Sequence, residues 1–228
     1  MIAVLPLASD PNPLLKWSYV TGQWSDIQDD LVTHFQLTVS AVALGLVLSS
    51  VLAAIALRYR WTMNPITGFT GFLFTLPSVA LFGVLVPVTG YTKLTALVPL
   101  TLYTLLILVT NIVAGFQAVP RSVREAADGM GLTPARRVLT VELPLAMPYV
   151  ITGIRVATVT TVGLVTVAAI IGQGALGDLI LDGLKRTYWT PMTVGAILSV
   201  ALALVLDLGI YLIGRAAAPW TRRGRAGA

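Results

Sequence analysis

The run FQLTVSAVALGLVLSSVLAAIAL, residues 35–57, contains no charged side chain. A helix rises 1.5 Å per residue, so about 20 apolar residues cross the ~30 Å hydrocarbon core of a bilayer. A membrane strand would alternate apolar and polar residues. This run is continuous instead, and a helix satisfies its own backbone in lipid. Working outward, uncharged runs recur at 65–92, 94–120, 156–177 and 187–206, the last continuing past Asp207 to Gly214. The pattern predicts an all-α, polytopic membrane bundle with five transmembrane helices at about 35–57, 66–88, 94–117, 147–171 and 190–214. Residues 1–34 become an outer N-terminal segment, 35–214 the membrane domain and 215–228 a basic tail.

Composition agrees. Charged residues make up 11% of the chain, against about 25% in soluble domains. The net charge of +5 comes from basic residues separated by apolar runs rather than gathered on one soluble face, which argues against a nucleic-acid partner. There is no cysteine, hence no disulfide framework and no thiolate metal site. The opening MIAVLPLASD lacks a basic region and its apolar part is short, so no cleaved signal peptide is expected.

Lysine and arginine in short loops orient a membrane protein. One side carries Arg58, Arg60, Arg121, Arg124, Arg136, Arg137, Arg215, Arg222, Arg223 and Arg225; the other carries Lys16, Lys93, Lys185 and Arg186. The bias places the N-terminus outside, the C-terminus in the cytoplasm and the loop 120–144 on the cytoplasmic side.

The second span is unlike the others. It contains Pro77 and Pro87 with Gly68, Gly71 and Gly83. Proline removes a helical hydrogen bond, and such breaks persist in lipid only beside protein or a water-filled cavity. Thr75, Pro77 and Ser78 are therefore candidates for lining a substrate path. The glycine-rich segment 172–189 reads either as an ordinary outer loop or as one that partly re-enters the bundle.

The polar stretch between the third and fourth spans is EAADGMGLTPARRVLTVELP, residues 125–144. Val123, Ala126, Ala127 and Met130 fall at i, i+3, i+4 and i+7, one face of a helix. Gly131 suits a helix end. Thr133 suits an N-cap and Pro134 a first helical position. Ala135, Val138 and Leu139 give a second narrow stripe, ended by Leu143-Pro144. Two short helices outside the bilayer follow. One reading is an amphipathic segment lying on the membrane surface. The other is a docking knob, because Ala126, Ala127, Gly129 and Gly131 would let another backbone approach closely.

Glu125, Ala126, Ala127, Gly131, Val141, Leu143 and Pro144 resemble, position by position, the EAA motif of permease subunits of ABC importers, with Val141 where isoleucine is common. In that family the loop carries the coupling helix, which seats in a groove of a cytoplasmic ABC ATPase. The resemblance implies an inner-membrane transport subunit rather than an enzyme, with ATP hydrolysed by that separate subunit. No GxxxxGK[ST] phosphate loop occurs in the chain. It further implies an external substrate-binding protein, a second permease subunit (a copy or a sister) and alternating access. HFQLTVSAVALGLVLS, TLPSVALFGVLVPVTG and ELPLAMPYVITGIRVATVTTVGLVTVAAIIGQGALGDLI are similar to the osmoprotectant branch, which imports glycine betaine, carnitine, choline or proline betaine. Methionine and other amino-acid permeases share parts of these features and remain an alternative cargo class. A stand-alone channel or ion-coupled carrier is the alternative of a different class, and the scarcity of intramembrane charge argues against it.

Other candidates carry less. Gly172, Gly174 and Gly177 match GxGxxG by letter, but a dinucleotide site needs a strand before it and an acidic residue about 20 positions later. A tight turn or close helix packing is expected there instead. His34 is the only histidine, has no carboxylate or cysteine partner, and is expected at the outer interface of the first span. No metal, no cofactor and no catalytic residue is expected. Asp207 lies inside the last span, where a charge costs about 2.5–3.5 kcal/mol; a structural pairing, with Arg155 or a helix end, is expected. Trp17, Tyr19, Trp24, Tyr91, Tyr188 and Trp189 fit an interfacial belt, although aromatic faces also hold quaternary amines.

Overall fold

A computed structural model describes residues 12–217, and every regular element among them is helical. The opening MIAVLPLASD and most of the basic tail, with Arg222, Arg223 and Arg225, lie outside the described residues. The order is α1 (Trp17–Gly22), α2 (Trp24–Arg58), a 3-10 turn (Arg60–Thr62), α3 (Met63–Thr75), α4 (Ser78–Thr89) and α5 (Lys93–Gln117). Then come α6 (Arg121–Gly129), α7 (Pro134–Arg137), a π turn (Val138–Glu142), α8 (Leu143–Val167), a second 3-10 turn (Ala168–Ile171), α9 (Leu176–Lys185) and α10 (Trp189–Ala217).

Four helical stretches are long and apolar enough to cross a membrane: Trp24–Arg58, Lys93–Gln117, Pro134–Ile171 and Trp189–Ala216. The second expected span, 66–88, is two helices rather than one kinked helix: the chain bends by 89° between α3 and α4, and the pair makes a fifth crossing if taken together. The cause is local. Leu76 precedes proline and adopts an extended backbone, ψ 136°, because the proline ring crowds the helical region of the residue before it. Pro87, Pro99 and Pro148 stay inside α4, α5 and α8. At its other end α2 begins eleven residues before the expected boundary at residue 35, running through Asp26, Asp29 and Asp30. Hydropathy marks only the part that lipid can cover, and an acid such as Asp26 in the first turn favours the helix dipole.

The chain divides into two compact units, and the long helices α2, α5, α8 and α10 contribute residues to both. One unit holds the described residues up to Ser40, Pro77–Leu100 and Thr160–Leu204. Phe82, Leu100, Val165 and Leu176 are fully buried in it. Both α4 and α9 pack on the turn Ala168–Ile171. Glycines make the α9 packing possible. A Cβ on Gly177 would lie 2.3 Å from the Thr166 carbonyl oxygen, and one on Gly183 2.7 Å from the Met192 nitrogen. Segment 172–189, left open between loop and re-entry, is thus mostly helix, with Leu176, Gly177, Leu179 and Gly183 buried. His34 is fully buried, and its Nε2 lies 3.1 Å from the Val162 carbonyl oxygen. That bond puts the proton on Nε2.

The other unit holds Ala41–Leu76, Thr101–Val159 and the described residues from Val205 on. Small residues of α2 recur about every helical turn: Ala41, Gly45, Ser49, Ala53 and Ala56. All five are buried. A Cβ on Gly45 would sit 1.8 Å from the Thr104 hydroxyl oxygen. Small side chains let helices approach closely where the surrounding lipid supplies no hydrophobic drive. Ala53 and Ala56 join Leu108, Val109, Ile112 and Ala157 in one apolar cluster of this unit. At the end of α3 the Leu76 carbonyl, released by the break, accepts a hydrogen bond from the Tyr103 hydroxyl. Phe74 meets the same ring edge to face at 5.9 Å.

Candidate functional site

The stretch 121–144 forms a helical hairpin within the second unit. Pro120 precedes the first residue of α6, and α6 ends at its glycine for a stated reason. Gly131 has φ +76°. Its N–H donates to the Asp128 carbonyl at 2.9 Å, and the Leu132 N–H reaches back to the Ala127 carbonyl at 3.2 Å. These two bonds satisfy carbonyls that a helix end otherwise leaves free, and they require a left-handed residue between them. Thr133 then caps α7, its hydroxyl oxygen accepting from the Arg136 N–H at 3.4 Å, with Pro134 in the first turn.

The seven motif residues fall into two groups. Glu125, Ala126 and Gly131 are exposed, whereas Ala127 is buried and Val141, Leu143 and Pro144 are half-buried. The exposed group is continuous with Met130, 73% exposed. The expected apolar face of α6 is therefore only partly internal: Ala127 packs inward, Val123 is half-buried, and Ala126 and Met130 face outward. Leu139, expected on a packed stripe, is also exposed. Neither Gly129 nor Gly131 would bring a Cβ within 4 Å of any other atom. Glu125 pairs at 2.7 Å with Arg121 on the surface, an arrangement worth about 0.5 kcal/mol or less.

Glu142 holds the hairpin together, and reading the sequence by helical period misses it. Its carboxylate is 8% exposed and takes Arg137 Nε at 2.8 Å and Arg124 Nε at 3.4 Å. Arg137 also holds both carboxylate oxygens of Asp128, at 2.6 and 2.7 Å. Arg124 donates through Nη2 to the Phe116 carbonyl near the end of α5. One carboxylate thus ties the end of α5, α6, α7 and the start of α8. Residues 137 and 142 are five apart, about 140° around an α-helix. The π turn Val138–Glu142, with its i to i+5 pattern, returns them to one side. A glutamate beside Leu143-Pro144 at an otherwise apolar span entrance was the available signal.

Elsewhere in this unit Arg155 forks onto Asp207, Nε to Oδ1 and Nη2 to Oδ2 both at 2.7 Å. The Tyr211 ring centroid lies 5.2 Å from the guanidinium carbon. This is the structural pairing expected for Asp207. Thr75 and Pro77 are exposed and Ser78 half-buried; the Thr75 hydroxyl donates to the Phe72 carbonyl at 2.7 Å. In the first unit Gly172 adopts φ +66° and a Cβ on Gly174 would meet Ala169 backbone at 2.3 Å. The GxGxxG letters therefore serve a turn and close packing. Among the aromatics expected at an outer belt, Tyr19 and Tyr188 meet edge to face at 5.6 Å, and Trp17, Trp24 and Tyr91 are exposed.

Residues 41–219 match the family model described as binding-protein-dependent transport system inner membrane component. The osmoprotectant import permease protein OsmW of Salmonella typhimurium is 36% identical over 76% of this chain and 83% of that protein. The choline transport system permease protein OpuBB of Bacillus subtilis is 34% identical over 82% of this chain and 86% of that protein. The glycine betaine/carnitine/choline transport system permease protein OpuCB of Bacillus subtilis is 31% identical over the same shares. Among solved structures, the inward-facing MetNI methionine ABC transporter superposes with a TM-score of 0.70 at 20% identity, covering 89% of this chain and 99% of that one. An amino acid ABC transporter crystallised with histidines gives 0.72 at 16% identity, covering 88% and 98%. At those identities the two structures speak to the fold alone.

Proposed function

The chain belongs to the binding-protein-dependent transport system inner membrane components, the permease subunits of ABC importers, and from that premise we propose that its cargo is a quaternary-amine osmoprotectant. Glycine betaine, carnitine, choline and proline betaine form the class. The observation that carries this reading is the similarity to osmoprotectant and choline permeases over about four-fifths of the chain. A separate cytoplasmic ABC ATPase supplies the energy, an external binding protein delivers the cargo, and a second permease subunit completes the path. The N-terminus lies outside and the C-terminus in the cytoplasm, as the arginine bias suggests.

Glu125, Ala126 and Gly131 dock the hairpin on the ATPase, Ala127 packs inward beneath them, and Val141, Leu143 and Pro144 seat the hairpin at the head of α8. What supports this division is the exposure of Glu125, Ala126 and Gly131 beside Met130, with the other motif residues turned inward. ATP binding draws two ATPase subunits together, both hairpins follow, and the bundle opens outward to receive cargo; hydrolysis resets it. Thr75, Pro77 and Ser78 line the path in this reading, because a proline break leaves backbone groups for a polar solute to meet.

The test is uptake of labelled glycine betaine in a transport-deficient bacterium that co-expresses the chain with its ATPase and binding protein. Choline, carnitine and methionine serve as competitors. Saturable, ATPase-dependent uptake competed by choline or carnitine is the expected result. Competition by methionine alone reassigns the cargo, and failure to co-purify with an ATPase removes the coupling assignment.

A further inference from the structure

Beside the hairpin, wholly within the second unit, lies a half-open cavity of about 560 Å³. Arg58, Arg124, Arg137 and Glu142 line it together with apolar side chains that include Leu57, Ile112 and Phe116. The charged part of this lining carries unmatched positive charge. Arg124 and Arg137 share Glu142, and Arg137 also pairs with Asp128. Arg58 has no carboxylate partner among the described residues; its guanidinium carbon lies 5.4 Å over the Tyr59 ring. Three guanidinium groups thus face two carboxylates.

The surroundings say what fits. Arg58 ends α2, one of the helices able to cross a membrane. Tyr59 and Trp61 follow it and are 51% and 78% exposed, as aromatic residues are at the headgroup level. Just before it, Val51 and Ile55 present exposed apolar side chains. A free phosphate or nucleotide would use the arginines but not the apolar wall. A zwitterionic lipid would bring no net charge to balance Arg58. A molecule with one negative phosphodiester and a hydrocarbon chain uses both the charged and the apolar lining, and basic pockets between membrane helices take such headgroups.

We propose that this cavity is a binding site for one anionic phospholipid of the leaflet on the hairpin side. Its phosphate is held by Arg58 and Arg124, and its acyl chain runs along the apolar wall. The lipid bridges the end of α2 to the hairpin, which the Glu142 clamp does not reach.

The experiment is native mass spectrometry of the assembled transporter, released from nanodiscs holding equal phosphatidylglycerol and phosphatidylcholine and then progressively delipidated. The wild type is expected to retain one phosphatidylglycerol per chain, at least tenfold over phosphatidylcholine. Arg58→Gln should lose that preference, Arg58→Lys should keep most of it, and Arg60→Gln, on the same side but outside the cavity, should leave it unchanged. Arg58 is exposed, so these variants fold. Equal retention in wild type and Arg58→Gln overturns the site. An equal loss in Arg60→Gln also overturns it, by reducing the effect to general surface charge. Displacement of the lipid by millimolar inorganic phosphate would mark a soluble-anion site and overturn the lipid assignment.

Discussion

The glycines of the hairpin and those of α9 look alike as letters and do opposite work. Gly174, Gly177 and Gly183 each stand against backbone of their own chain, so close that a Cβ would collide. Gly129 and Gly131 face open space. Small residues permit close approach in both places, but in α9 the approaching backbone is already there. In the hairpin it belongs to another molecule, or to none. A glycine that meets backbone is part of the fold, and a solvent-facing run of small residues on a built hairpin is a surface kept clear.

That contrast can be broken by substitution. The largest effect is expected at Gly177→Leu. Overpacking alone costs about 1–3 kcal/mol, and here the clash is with backbone that cannot move aside. Detergent-stable protein should fall at least tenfold, measured by fluorescence-detected size exclusion; a normal yield would mean that α9 tolerates displacement. Next comes Gly131→Trp, which should insert normally and lose co-purification with the ATPase. Retained ATPase and transport would show that the clear surface is not the docking surface. Glu142→Gln should come third. It removes the shared counter-charge of two guanidinium groups that are about one-quarter to one-third exposed, while Arg137 keeps Asp128 and Arg124 keeps the Phe116 carbonyl, so its cost should be about 2 kcal/mol or less, below that of breaking a fully buried pair. The ATPase should remain bound, while cargo moved per ATP hydrolysed drops severalfold; an unchanged ratio would make the clamp a matter of stability only. The smallest effect is expected at Gly129→Ala. At the last position of α6 with nothing near its Cβ, the change should stabilise the helix by less than the interior value of about 0.5–1 kcal/mol. A weaker grip on the ATPase despite that gain, read by titration, would locate the contact to one methyl group.

Much of this was legible before any coordinates. Uncharged runs of 20 residues or more give the crossing helices because the bilayer sets one length for all of them. The hairpin was legible because its caps are local chemistry: Thr133 with Pro134, and Gly131 with its left-handed backbone. What escaped depended on geometry that a helical period does not carry. Arg137 and Glu142 lie on one side only through a π turn. The stripe Ala41, Gly45, Ser49 and Ala53 has meaning only once α5 lies across it. The Val162 carbonyl that faces His34 lies 128 positions away, beyond any local pattern. The break at Leu76-Pro77 was legible from its proline, but the Tyr103 hydroxyl that takes the freed Leu76 carbonyl is a tertiary partner that no local rule supplies.

The fork between Arg155 and Asp207 has a consequence for biosynthesis. The two residues are 52 positions apart, and a ribosome adds about 5–20 residues per second. Arg155 is therefore made several seconds before its counter-ion exists. Alone in lipid, it would carry an insertion cost of about 2.5–3.5 kcal/mol. The nascent α8 has reason to linger at the insertion machinery until α10 emerges and neutralises it. The pair would then enter the bilayer together, making α10 a condition for releasing α8.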